Sequence, residues 1–237
     1  MRILALITAR GGSKRLPGKN LRTLGGKPLL TWSIDVAKDI PDICDILVST
    51  DDPAIAETAK SAGALVPWLR PPHLATDTAK SVDVCLHAVD WYENTRGKID
   101  GLLLLQPTSP YRSRDTVLRG IENFRMHNRR PVIGVAPARS HPLWCFKLQG
   151  TRMSPFIDRG GLQQRSQELE PAYAVNGALY LITPDDLRAR LSFYGDDCLP
   201  LLIERPEESI DIDTEWDWQM AEALSLRVDR QNPKTGD

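Results

Sequence analysis

Residues 3–20 read Ile-Leu-Ala-Leu-Ile-Thr-Ala-Arg-Gly-Gly-Ser-Lys-Arg-Leu-Pro-Gly-Lys-Asn. An unbroken apolar run, Ile3–Thr8, has the composition of a strand buried on both faces of a parallel sheet. It stops abruptly in a loop with three glycines and four cationic side chains, Arg10, Lys14, Arg15 and Lys19. Small residues let backbone approach an anion, exposed N–H groups point at it, and Lys or Arg supplies countercharge, as a triphosphate requires. The spacing fits neither standard phosphate motif. Five residues separate Gly12 from Gly18 and Asn20 follows Lys19, so this is no Walker A loop, and Gly11-Gly12 breaks the dinucleotide fingerprint. An ordinary strand–helix turn with solvated cations is the bland alternative.

Outward from this stretch, strand-like and helix-like segments alternate to residue 137. Helical stripes are expected through Leu29–Ile40, over Pro53–Ala62, after a cap at Ser81, and through Val117–Phe124. Strands are expected at 45–49, 65–67, 101–105 and 132–137. Such alternation implies right-handed crossovers and a mostly parallel sheet covered on both faces, an α/β Rossmann-like three-layer fold. The pattern breaks at 138–172, where Trp144–Leu148 and Met153–Ile157 flank Gln149-Gly150 as a β-hairpin would. That excursion is either a partner-contacting arm or a surface insertion. Strands return at 178–183 and 199–203. A closing helix is expected over Glu215–Val228, with Trp216, Met220, Ala223 and Leu224 on its apolar face. The main domain is read as 1–228, followed by a polar, disordered tail at 229–237.

Length and composition fit this reading. The chain has 237 residues, 41% hydrophobic and 26% charged, with formal net charge −1. A near-neutral chain has no global pull on nucleic acid or an anionic membrane. No apolar stretch is long enough to span a bilayer, and no signal peptide is recognised. Cys44, Cys85, Cys145 and Cys198 are scattered, which reads as reduced thiols in a cytoplasmic protein rather than a zinc site.

Ligands of open parallel sheets sit beyond the carboxyl ends of the strands. Four polar loops are expected there: 9–20, 49–52, 106–112 and 209–214. In the last, Asp211 and Asp213 stand two apart, so in an extended segment both carboxylates face one side and can hold Mg²⁺ together with phosphate oxygens. A helix cap at Asp213 or Thr214 is the alternative, and it leaves Asp211 unexplained. Asp51-Asp52 reads as a turn before Pro53. Gln106, at a strand end, has an amide that can donate to and accept from a sugar. Arg70 and Arg165 are candidate anion partners, and the four histidines show no ligand spacing.

These residues carry a resemblance. The motifs Ala-Arg-Gly-Gly-Ser-Lys at 9–14, Lys-Asn at 19–20, Val-Ser-Thr-Asp at 48–51, Arg-Pro at 70–71 and Ala-Thr-Asp-Thr at 75–78 occur in that order. Leu-Gln-Pro-Thr-Ser-Pro at 105–110, Asn-Gly-Ala-Leu-Tyr at 176–180 and Ser-Ile-Asp-Ile-Asp-Thr at 209–214 follow. Together they resemble the acylneuraminate cytidylyltransferases. The resemblance implies a Mg²⁺-dependent nucleotidyltransferase that joins CTP to a 2-keto-3-deoxy sugar acid and releases pyrophosphate. It implies that Arg10, Gly11, Ser13, Lys19 and Asn20 hold the triphosphate, and that Arg70, Ser81 and Thr108 position the cytidine half. Gln106, Arg165, Asn176 and Tyr180 would face the sugar, and Asp211 and Asp213 would bind metal. Arg10, Lys19, Asp211 and Asp213 would carry the catalytic charge. It also implies a homodimer joined through the 138–172 arm. Residues 165–170, Arg-Ser-Gln-Glu-Leu-Glu, lack one basic charge common in relatives, and Ala174 stands where some sialic acid enzymes have Arg. The rival readings are a 3-deoxy-manno-octulosonate cytidylyltransferase, a nucleotide-sugar glycosyltransferase and a non-catalytic nucleotide-binding module.

Overall fold

The computed structural model describes residues 1–157, 160 and 162–231. In chain order the elements begin with β1 (Ile3–Thr8), a small ribbon of β2 (Thr23–Leu24) and β3 (Lys27–Pro28), and α1 (Leu29–Asp35). Next come β4 (Ile43–Ser49), α2 (Pro53–Ser61), α3 (Ser81–Arg96), β5 (Gly101–Leu104), α4 (Arg114–Met126) and β6 (Val132–Pro137). The hairpin β7 (Phe146–Gln149) and β8 (Arg152–Pro155) precedes β9 (Tyr173–Ile182), α5 (Pro184–Arg190), β10 (Leu199–Leu202) and α6 (Glu215–Gln231).

Six strands form one sheet in the order β10-β6-β9-β5-β1-β4. β1 is parallel to β4 and β5, and β6 is parallel to β10. β9 runs antiparallel between β5 and β6, so the sheet is mostly, not wholly, parallel. Alternate side chains feed two cores. Ile3, Ala5 and Ile7 pack with Leu30, Ile34, Ile55, Ile121 and Phe124 on one face. Leu4 and Leu6 pack with Val82, Cys85, Val89 and Leu187 on the other. Each fully buried large aliphatic side chain stabilises the fold by about 1.5–3 kcal/mol. A third, smaller cluster joins Leu16, Leu24, Tyr111, Ile210, Ile212 and Trp218. This one matters most for the site, because it ties the cationic loop to the acidic segment near the other end of the chain.

Several elements differ from the sequence-based expectation. α1 ends at Asp35 and continues as turns to Asp39, which takes φ 56°. The strand at 65–67 reduces to a single bridge between Leu65 and Leu47, since Pro67 has no N–H to extend the ladder. Ser81 does not cap α3: Lys80 occupies the cap position without a side-chain bond, and Ser81 is the first helical residue. The phase of α6 is also different. Trp218 and Ala221 are buried, whereas Trp216 is 68% and Met220 46% exposed. Two tryptophans two residues apart lie on nearly opposite faces of a helix, and the sequence alone does not say which turns inward. α6 runs to Gln231 rather than stopping at 228. Of the tail expected at 229–237, residues 232–237 lie outside the described residues, as do 158, 159 and 161 of the arm. Among the described residues no helix is long and apolar enough to cross a membrane.

Candidate active site

The cationic loop leaves the carboxyl end of β1 and packs into the third core. Gly18 takes φ 67°, a conformation that glycine adopts without strain, and turns the chain into a short 3-10 segment, Lys19–Leu21. Leu16 anchors the loop in the third core. The side chain of Asn20 donates to the Arg10 carbonyl at 3.0 Å and so ties the two ends of the loop together.

From the far end of the chain, Ile212 enters the same core and its N–H donates to the Thr108 carbonyl at 2.8 Å. Lys19 Nζ meets this segment, donating to the Ile212 carbonyl at 2.6 Å and to Asp213 Oδ1 at 3.2 Å. Arg15 reaches Asp213 Oδ2 at 2.8 Å. The helix cap is Thr214, not Asp213. The Thr214 hydroxyl accepts from the Asp217 N–H, and the Asp217 carboxylate accepts from the Thr214 N–H at 2.8 Å. Asp213 is thereby left to face the cations.

These loops surround a cleft of about 350 Å³. Arg10, Ser13, Lys19, Asn20, Arg70, Ser81, Thr108 and Asp213 all line it. Gly11 does not. Its N–H donates to Asp51 at 3.0 Å, and a Cβ there would meet an Asp52 carboxylate oxygen at 2.6 Å, so this glycine lets two loops close on each other. Loop 49–52 braces the cleft from behind. Asp52 caps α2, and the Ser49 hydroxyl accepts from Arg70 Nε at 3.0 Å. Burial lowers the pKa of Arg70, with Asp51 opposing that shift.

A second pocket of about 210 Å³ shares Ser81 with the first. Gln106 and Tyr180 line it with Val82, Leu104, Leu191, Phe193 and Tyr194. The loop 191–194 gave no sequence signal, because it follows a short helix without periodicity. Gln106 stands at the rim because Gly177, with φ 74°, leaves room for it. A Cβ on Gly177 would lie 2.5 Å from Gln106 Oε1. Asn176 lines neither pocket: its Oδ1 accepts from the Ala178 N–H at 3.1 Å. Its buried Nδ2 has no hydrogen-bond partner among the described residues. Arg165 also lines neither pocket; it sits exposed on the arm at the start of a 3-10 turn. Behind Gln106, buried Arg112 donates to the Gln106 carbonyl at 2.9 Å and also to the Ala178 carbonyl. Burial pulls its pKa down to about 9, with Glu208 opposing.

Asp211 lines neither pocket but stands between residues of both, bonded to Thr108 and acting by its charge on Tyr180. Loss of hydration raises its pKa, a hydrogen bond from Thr108 opposes that, and the Asp213 charge raises it again. Its charge in turn acts on Tyr180. Two like charges set two residues apart, with Asp213 raising the pKa of Asp211, are what a hard divalent cation relieves. Among the described residues no three His, Cys, Asp or Glu side chains gather as a complete metal cage. Mg²⁺ needs none when one or two carboxylates are completed by phosphate oxygens and water, so the donor set fits.

The sheet order, the cleft at the strand ends and the cation-to-carboxylate closure define an α/β nucleotidyltransferase. The cytidylyltransferase family model matches residues 4–125. A CMP-N,N'-diacetyllegionaminic acid synthase from Legionella pneumophila is 40% identical, over 94% of this chain and 96% of that protein. A pseudaminic acid cytidylyltransferase from Campylobacter jejuni is 32% identical, over 77% of this chain and 79% of its own length. The chain belongs to the cytidylyltransferase family. At the level of fold, a CMP:2-keto-3-deoxy-manno-octonic acid synthetase solved with CTP aligns with TM-score 0.69 and 18% identity. That alignment covers 96% of this chain and 100% of that one.

Proposed function

We propose that this protein activates a nonulosonic sugar acid with CTP, giving a CMP-sugar and pyrophosphate. One observation carries the reading: Lys19 and Asp213, 194 residues apart in sequence, meet at 3.2 Å in the cleft. That contact brings a triphosphate-sized cationic loop and an acidic pair to one place. Arg10, Ser13, Lys19 and Asn20 hold the phosphates, while Arg70, Ser81 and Thr108 hold the nucleoside. Displacement at the α-phosphorus builds charge on the departing pyrophosphate, which Arg10 and Lys19 offset without reorganising. Asp211 and Asp213 would hold Mg²⁺, which supplies further countercharge when bound. Gln106 and Tyr180 hold the sugar acid, so that its anomeric hydroxyl lies in line with the phosphorus. The apolar wall of Leu191, Phe193 and Tyr194 suits an acylated, partly deoxygenated sugar. The name of the Legionella relative therefore puts diacetyllegionaminic acid first among candidates.

The same reading includes a homodimer. The arm exposes Leu148 (73%), Met153 (64%) and Ile157 (59%), an apolar patch that water disfavours. Arg165 rides on that arm and would reach a partner's sugar pocket. The compartment is the cytoplasm, where the free cysteines stay reduced.

The test is a panel of nonulosonic and octulosonic acids with each nucleoside triphosphate, scored for pyrophosphate. CTP with a nonulosonic acid should give the strongest signal, and EDTA should abolish it. Pyrophosphate only with octulosonic acid would move the substrate class, and none with any acid would remove the reading.

A further inference from the structure

Asp77 lies between the 3-10 turn Pro72–Leu74 and α3, on the loop that supplies Thr76, Asp77 and Ala79 to the cleft lining. Its carboxylate bridges this loop to the cationic loop after β1. Oδ1 accepts from Arg10 Nη1 at 2.6 Å, and Oδ2 pairs with Lys14 Nζ. Those pairs, Lys14 first and Arg10 second, hold its carboxyl below the usual carboxylate range. No step of the proposed reaction uses Asp77. It nevertheless occupies cations that a phosphate tail would use, because a carboxylate oxygen and a phosphate oxygen are the same kind of acceptor to a guanidinium or an ammonium.

Among the described residues four cation–carboxylate contacts lie in this cleft, and Lys19–Asp213 differs from Arg15–Asp213, Arg10–Asp77 and Lys14–Asp77 in the burial of its cation. Lys19 is 10% exposed and held by a backbone carbonyl as well as by Asp213, so its position is fixed. Arg10, Lys14 and Asp77 are 35%, 78% and 41% exposed. Pairs this open to water are weak and exchange readily. A weak, exposed bridge across a binding cleft suits a group that has to give way on every turnover.

We propose that Asp77 is a surrogate anion: it holds Arg10 and Lys14 in the free protein, yields them to the phosphate tail of the nucleotide, and retakes them as pyrophosphate leaves. This proposal rests on the CTP reading above. It makes Asp77 a residue that weakens pyrophosphate and nucleotide binding and shortens product occupancy. The opposite role, a brace that holds the loop ready for nucleotide, predicts the opposite sign.

The experiment compares wild type, Asp77→Asn, Asp77→Ser and Asp77→Glu by calorimetric titration with inorganic pyrophosphate and with CTP, at fixed Mg²⁺ and low ionic strength. Asp77→Asn and Asp77→Ser should bind both ligands more tightly by about three- to tenfold, the range expected when two exposed ion pairs no longer compete. Asp77→Glu, which keeps the charge, should stay near wild type. The gain should shrink in about 0.5 M KCl, where exposed charges are screened. Product inhibition by pyrophosphate should strengthen in the two neutral variants. Unchanged or weaker binding in those variants, with wild-type melting temperatures, would overturn the proposal and leave the CTP reading standing. A wild-type protein that binds neither ligand would remove both.

Discussion

At the scale of single residues, Gly177 decides where Gln106 stands, on the side of the site proposed for the sugar acid. Its φ of 74° is one that other residues adopt only with strain, and a Cβ would stand 2.5 Å from Gln106 Oε1 and 3.5 Å from Ser109 Oγ. In Gly177→Ala the amide end of Gln106 has to swing away, because it is the flexible partner. Unfolding free energy should fall by about 1–2 kcal/mol from the backbone strain. KM for the sugar acid should rise about tenfold, the loss of one well-aligned hydrogen bond to a polar ligand, while the affinity for CTP stays at the wild-type value. A parallel loss of CTP affinity in calorimetry would show that the two pockets are not separable at Gln106. The residue types in this site were legible: cations beside glycines, paired carboxylates, and an amide at a strand end. Their partners were not. Nothing local in Ala-Thr-Asp-Thr says that Asp77 crosses to Arg10, and nothing near residue 112 says that its guanidinium is buried beneath Gln106. The first belongs to a contact between residues 67 apart, and Arg112 is held in place by the Ala178 carbonyl, 66 residues further on, as well as by Gln106.

At the scale of elements, periodicity recovered what repeats and missed what is set by neighbours. β1 and β6 have the expected bounds because an apolar run between turn residues has one solution. α6 shows the limit, since its Trp216 and Trp218 offer two apolar faces. The capping pair Thr214–Asp217 and the third core select the second. Arg22 stacks over Trp218 at 4.2 Å and pairs with Glu215 at 2.6 Å, which fixes the helix start beside Asp213. The hairpin β7–β8 is the converse case: expected as an element, with its purpose left open by the sequence. All four residues of β7 are exposed, an arrangement a small isolated ribbon sustains poorly in water. If the arm closes a dimer, Leu148→Glu with Met153→Glu should give monomers in sedimentation velocity at micromolar concentration. Sugar-dependent turnover should drop more than about tenfold, the scale on which one misplaced positioning group is felt. CTP affinity should remain, because its cleft is lined within one chain. A wild-type protein that sediments as a monomer would end this assignment.

At the scale of the molecule, the alternation of strands and helices announced the layers but not the direction of every strand. β9 enters antiparallel between β5 and β6 because the arm returns the chain from beyond the sheet, and a run of apolar residues carries no arrow. Charge is organised across the same distances. Asp42 binds the N-terminal ammonium at 3.0 Å and Arg125 at 2.7 Å, joining the start of the chain to α4. Glu93, 5% exposed, takes Arg188 at 2.7 Å and Lys98 at 3.0 Å, joining α3 to α5. Burial alone would push both carboxyls up, but the cationic partners outweigh it and hold each below the usual carboxylate range. A carboxylate depressed in the folded state stabilises the fold at every pH above its unfolded value, about 4, and that stabilisation disappears as pH falls through the lower folded value. The urea midpoint should therefore be level with respect to these two groups from about pH 8 to 5 and decline below about pH 4. In Glu93→Gln the midpoint should be lower at neutral pH and its acid decline shallower, since one titrating group has gone. A midpoint that rises on acidification, or an acid limb as steep in Glu93→Gln as in wild type, would show that these cross-element pairs do not hold the layers together.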